Sequence, residues 1–157
     1  MPRHHRLLIF ILGFAALGTL LSGYLSYWNY FGPGCSEGPL NWLVTCGGPK
    51  AVKIFHQPTC IYGFAMFLAV FITALVGLYR DASKKLMVTL TVLGIAGTAF
   101  SGFLSIYEIF FLKIELNALP ACVYGLIFYV GILVTSIIGL RAPVTTTPVS
   151  PIPPATV

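Results

Sequence analysis

GTLLSGYLSYWNYF, residues Gly18–Phe31, returns at Gly97–Phe110 as GTAFSGFLSIYEIF, with seven of fourteen positions identical. Downstream of each copy a second block repeats: PTCIYGF at Pro58–Phe64 answers PACVYGL at Pro120–Leu126. A third, VGL at Val76–Leu78, answers IGL at Ile138–Leu140. Three matches in one order mark a duplicated unit. Each unit holds two long apolar stretches, so the copies cross a membrane in the same orientation, related by a pseudo-axis along its normal.

The composition requires the membrane. Of the 157 residues, 57% are apolar and 8% are charged, against about 25% charged in ordinary soluble domains. So few polar side chains cannot cover a globular surface, which excludes a soluble enzyme, a disordered chain and a nucleic-acid binder. A span needs about 20 mostly apolar residues. Four stretches qualify: about Leu7–Trp28, Thr59–Tyr79, Leu86–Phe111 and Ala121–Leu140. The first is too long for the h-region of a secretory signal and is followed by Trp28, Tyr30 and Phe31 rather than by small residues, so it reads as a retained span. The fold class is therefore an all-α membrane protein, a four-helix bundle built by tandem duplication of a hairpin. Residues 29–58 form a long outer loop. The tail 142–157, with five prolines and no charge, reads as a disordered cytoplasmic extension.

Basic residues set the orientation. Arg3, Arg6, Arg80, Lys84, Lys85 and Arg141 fall on one side, and Lys50, Lys53 and Lys113 on the other. Cytoplasmic loops carry the excess of Lys and Arg, so both termini of this multi-pass cell-membrane protein are expected inside. Gly18, Ser22, Gly23 and Ser26, with their counterparts Gly97, Ser101, Gly102 and Ser105, form small-residue stripes that let helix backbones approach closely.

The four cysteines, Cys35, Cys46, Cys60 and Cys122, all fall in outer loops or at the outer ends of spans. An even number on the oxidising side suggests disulfides, and four cysteines allow three connectivities. No CxxC or HxxxH spacing supports zinc. The repeat favours Cys60 with Cys122, which occupy equivalent places just after a proline, leaving Cys35 with Cys46. The loop of the first copy is 17 residues longer than that of the second, the repeat offset falling from 79 to 62. That surplus carries Cys35 and Cys46. Structural staples alone would explain two disulfides. A pair at the membrane surface and a second in a Gly/Pro-rich loop also form the layout of a thiol–disulfide relay from water to membrane.

Four spans, a long first outer loop with two cysteines and a GxxxSxYLSY-like first helix resemble the vitamin K epoxide reductase family, whose layout the DsbB-type bacterial membrane oxidases share. The stretch CGGPKAVKIFHQPTCIYGF is similar to that family's segment after its second loop cysteine. The resemblance covers roughly Leu12 to Leu140. It implies a membrane disulfide oxidoreductase in which loop cysteines, here Cys35 and Cys46, take electrons from an outer thioredoxin-like protein. They pass them to a membrane pair and on to a quinone of the ubiquinone or menaquinone type. Cys122 matches the cysteine at the head of the fourth span. The family's CxxC there is replaced by Leu119-Pro120-Ala121-Cys122, so either Cys60 supplies the second thiol or the chemistry is lost. In the second case the chain is a non-catalytic tetraspan subunit, with other membrane subunits as partners. A transporter fits less well, because no span has a charge or a Gly/Pro break at mid-membrane.

Three further residues are candidates for binding the quinone or tuning the thiols. Tyr62 and Tyr124 follow the two cysteines by two positions and carry phenols able to reach a quinone carbonyl. They also suit an interfacial aromatic belt. His56, four residues before Cys60, is an interfacial loop histidine or a promoter of the thiolate. Glu108, which stands where the other copy has Asn29, is expected to be hydrated or paired with Lys113, although acids within spans mark functional sites.

Overall fold

A computed structural model of the protein describes residues 3–32, 44–45, 53–54, 57–79, 84–110 and 119–141. Its elements in chain order are α1 (Arg3–Phe31), β1 (Val44–Thr45), β2 (Lys53–Ile54), β3 (Gln57–Pro58), α2 (Thr59–Tyr79), α3 (Lys84–Phe110), β4 (Leu119–Pro120) and α4 (Ala121–Arg141). All four helices are long and apolar enough to cross a membrane. Within hydrocarbon every backbone N–H and C=O must find a partner inside its own segment, which a helix provides. The side-chain hydroxyls follow the same rule: Thr19 donates to the Ala15 carbonyl at 2.7 Å, Ser22 to Gly18 at 2.6 Å and Thr98 to Gly94 at 2.7 Å. Each thereby closes its own hydrogen bond one turn back.

The helices of the first and third spans outrun their apolar stretches. At 29 residues, α1 is about 43 Å long at 1.5 Å per residue, more than the ~30 Å of hydrocarbon. It takes in Arg3 and Arg6 at one end and the aromatic run through Phe31 at the other. Hydropathy marks where lipid begins, while the hydrogen-bond ladder continues past that boundary. Hence α1 extends three residues into the stretch read from sequence as outer loop. Lys84 and Lys85 are likewise helical rather than part of the loop before α3.

The helices pack as a bundle, α1 against α2 and α4, and α3 against α4 and α2. The principal core gathers Leu8, Ile11, Phe67, Val70, Met87, Leu90, Tyr129 and Ile132 from all four helices. Bulky side chains such as Leu20, Phe103 and Phe110 are mostly exposed. On a soluble protein they would be an aggregation hazard; here they face lipid. Phe67 and Tyr129 occupy equivalent places in the two copies, and their rings stack at 4.1 Å with an interplanar angle of 16°. The duplicated hairpins thus meet at matching aromatics.

Backbone from the segments between the helices returns to the bundle at two short ladders. β2 pairs antiparallel with β3, and β1 pairs parallel with β4, with Val44 opposite Leu119 and Thr45 opposite Pro120. Val44 is buried against Leu25, which ties the loop to the end of α1. The tail 142–157 lies outside the described residues.

Candidate functional site

Cys60 and Cys122 are each the second residue of a helix, α2 and α4 respectively. A proline immediately precedes each helix, where its missing N–H is no loss and its fixed φ suits helix entry. The first turn also presents unsatisfied N–H groups and the positive end of the helix dipole, a favourable setting for negative charge. Both thiols therefore arise from the same local sequence logic, once in each copy.

The bundle brings the two together. Cys60 and Cys122 line one cavity, which is open at its mouth. Its wall is built from repeat-related residues of both hairpins, among them Ser22 with Ser101 and Gly63 with Gly125. The small residues leave the space, and Leu25, Leu104, Phe67 and Phe128 give it an apolar surface. The hydroxyls of Ser22, Thr59 and Ser101 are the polar side-chain groups on that wall besides the thiols. Cys60, Ala121 and Tyr124 also pack together around Leu25 and Val44, fixing the head of α4 beside the head of α2. The two sulfurs are not joined in a disulfide. Among the described residues no three His, Cys, Asp or Glu side chains gather as metal ligands.

Glu108 corrects the expectation of a hydrated surface acid. It is only 4% exposed, and its Oε1 accepts a hydrogen bond from Cys122 Sγ at 3.7 Å. Its Oε2 is buried with no hydrogen-bond partner among the described residues. Lys113 lies outside the described residues. The signal for this inward position is the spacing Ser101–Ser105–Glu108, four and then three residues apart, which stacks all three on one buried face of α3.

The other sequence candidates fare differently. Tyr62 and Tyr124 are half-buried but do not line the cavity. Cys35, Cys46 and His56 lie outside the described residues. The register of β1 with β4 nevertheless sets Thr45, the residue before Cys46, opposite Pro120, two residues before Cys122.

The sequence model of the vitamin K epoxide reductase family matches residues 9–116, which takes in α1 to α3 with the loop cysteines, Cys60 and Glu108 and stops short of Cys122. No curated protein matches the chain. The match covers well over half of the sequence and agrees with the four-helix bundle. The chain belongs to the vitamin K epoxide reductase family, whose kind of function is membrane disulfide and quinone oxidoreduction.

Proposed function

We propose that the chain is a membrane thiol–disulfide oxidoreductase that passes electrons from an extracytoplasmic thioredoxin-like dithiol protein to a membrane quinone of the ubiquinone or menaquinone type. The observation that carries this reading is that Cys60 and Cys122, from different hairpins, line one apolar cavity. Cys60 thereby takes the place of the thiol missing from the fourth span. An apolar cavity with a few hydroxyls suits a flat ring with two carbonyl oxygens. Ser101 is the nearer candidate to hold one of those oxygens, since the Ser22 hydroxyl already donates to the Gly18 carbonyl and Tyr62 and Tyr124 do not line the wall.

Cys35 and Cys46 act as the loop shuttle. The partner's dithiol reduces their disulfide by exchange: a partner thiolate attacks one sulfur, a mixed disulfide forms, and the second partner thiol displaces it. The loop dithiol then reduces a Cys60–Cys122 disulfide in the same manner. The pairing of Thr45 with Pro120 supports delivery of Cys46 to the head of α4. A bound quinone accepts the two electrons and two protons as the Cys60–Cys122 bond re-forms. His56, four residues before Cys60, is proposed to favour the Cys60 thiolate. Both termini are proposed to face the cytoplasm, with the cysteines on the oxidising side.

The test is quinone reduction by the purified full chain supplied with a reduced thioredoxin-like protein. Turnover that disappears in Cys60→Ala and in Cys122→Ser, with the bundle still folded, is expected. No turnover of ubiquinone or menaquinone analogues by the folded wild-type protein would overturn the reading.

A further inference from the structure

Glu108 and Cys122 are joined by a hydrogen bond inside the bundle. Oε1 accepts from Cys122 Sγ at 3.7 Å, the residue is 4% exposed, and Oε2 has no hydrogen-bond partner among the described residues. A buried carboxyl with one oxygen unpartnered is costly. The other copy carries Asn29 at the equivalent position, so the acid is particular to the hairpin that holds Cys122. Cys122 must lose its proton to act as a nucleophile or to enter a disulfide. In an apolar bundle that proton needs an acceptor within reach.

We propose that Glu108 is the proton acceptor for Cys122. In the step, the S–H bond of Cys122 breaks and an O–H bond forms at Oε1 of Glu108. The sulfur keeps the electron pair, and no oxidation state changes. The buried charge remains at minus one throughout, moving from carboxylate to sulfur, so no new charge is created in a low-dielectric site. Transfer to water would instead leave a thiolate beside the Glu108 carboxylate, two negative charges in an apolar site. Glu108 is not on the cavity wall. It therefore serves the sulfur from the side away from the bound ligand and leaves the cavity face of Cys122 open.

This role rests on reading Cys122 as redox-active, but it is testable without turnover. The measurement is the alkylation rate of Cys122 by iodoacetamide in the full chain, with Cys35, Cys46 and Cys60 changed to Ser, from about pH 5 to 9. The other titratable side chains at this end of the described helices are Tyr24, Tyr27 and Tyr30 on α1, Tyr62 on α2, Tyr107 on α3 and Tyr124 on α4, and they are unchanged across the series. Glu108→Gln is expected to slow alkylation on the order of 10²-fold and to alter its pH profile. Glu108→Asp, with the carboxyl drawn back by one methylene, should fall between the two. Alkylation of E108Q as fast as the parent, or faster, would overturn the proposal, since faster reaction is what removing a merely repulsive negative charge predicts. If E108Q does not fold, E108D decides: an unchanged rate and profile overturn the assignment. Alkylation needs neither quinone nor thiol donor, so a lack of quinone reduction bears on the redox reading and not on this result.

Discussion

Gly97 lies directly beneath the ring of Tyr129, so close that a Cβ there would overlap the ring, and Gly18 lies in the same way beneath Phe67. Each pair joins the two helices of one hairpin, and the two pairs are related by the repeat. Glycine is required here by contact rather than by backbone conformation, because α1 and α3 are regular through both positions.

Gly97→Ala is therefore expected to destabilise the bundle by about 1–3 kcal/mol through overpacking. Gly13→Ala, where a Cβ has no heavy atom within 4 Å, should be neutral or slightly stabilising. Thermal unfolding in detergent, followed by circular dichroism, separates the two. Equal midpoints would mean that the ring shifts aside at no cost.

Tyr129→Phe keeps the stack on Phe67 and removes a hydroxyl that is buried with no hydrogen-bond partner among the described residues. Unmade hydrogen bonds in apolar surroundings cost free energy, so the variant should be as stable as the parent or more so by about 1 kcal/mol. The same melting experiment reads it. A clear loss of stability would show that the hydroxyl has a partner.

Gly63 lines the cavity, and a Cβ there meets nothing within 4 Å. Gly63→Leu has room for its first atoms and projects the rest toward the ligand's space, while improving helix propensity. The fold should survive. KM for the quinone should rise by about tenfold or more, equivalent to about 1.4 kcal/mol. An unchanged KM would place the ligand elsewhere.

Oxidation tests the thiol pair directly. In a chain with Cys35 and Cys46 changed to Ser, mild oxidation by diamide should join Cys60 to Cys122, which requires Cα atoms within about 7 Å. Mass analysis after alkylation should find both sulfurs protected. Two alkylated cysteines would remove the membrane pair from the relay.

Orientation is open to labelling. Single cysteines introduced at Asn41 and Asn117 should react with an impermeant maleimide from outside the cell, and one at Ser83 should not. Reaction of Ser83→Cys from outside would reverse the topology and take the four native cysteines out of the oxidising compartment.

Much of this was legible in the residues. The apolar runs fix four spans, and the repeat predicts that Cys60 and Cys122 hold equivalent places, because both depend on composition and order alone. The rotational phase of a helix that is apolar all round is harder to read. Glu108 sits two residues from the end of α3, where one further turn of the helix decides between water and the bundle. Its phase follows only from Ser101 and Ser105, small residues whose plain reading is helix packing. The pairing of Thr45 with Pro120 joins segments far apart in sequence through backbone groups that carry no side-chain signature, so no local pattern announces it.

The stack of Phe67 on Tyr129 has an evolutionary consequence. A face that meets its own repeat-equivalent is self-complementary, the condition for an isologous two-fold dimer. A single ancestral hairpin carrying one aromatic above one glycine can therefore pair with an identical copy, each ring stacking on its twin. Gene fusion then frees the halves to differ, as they do in loop length and in Asn29 against Glu108. Co-expressed as two chains cut between Arg80 and Ser83, the halves retain every element of that interface and are expected to reassemble.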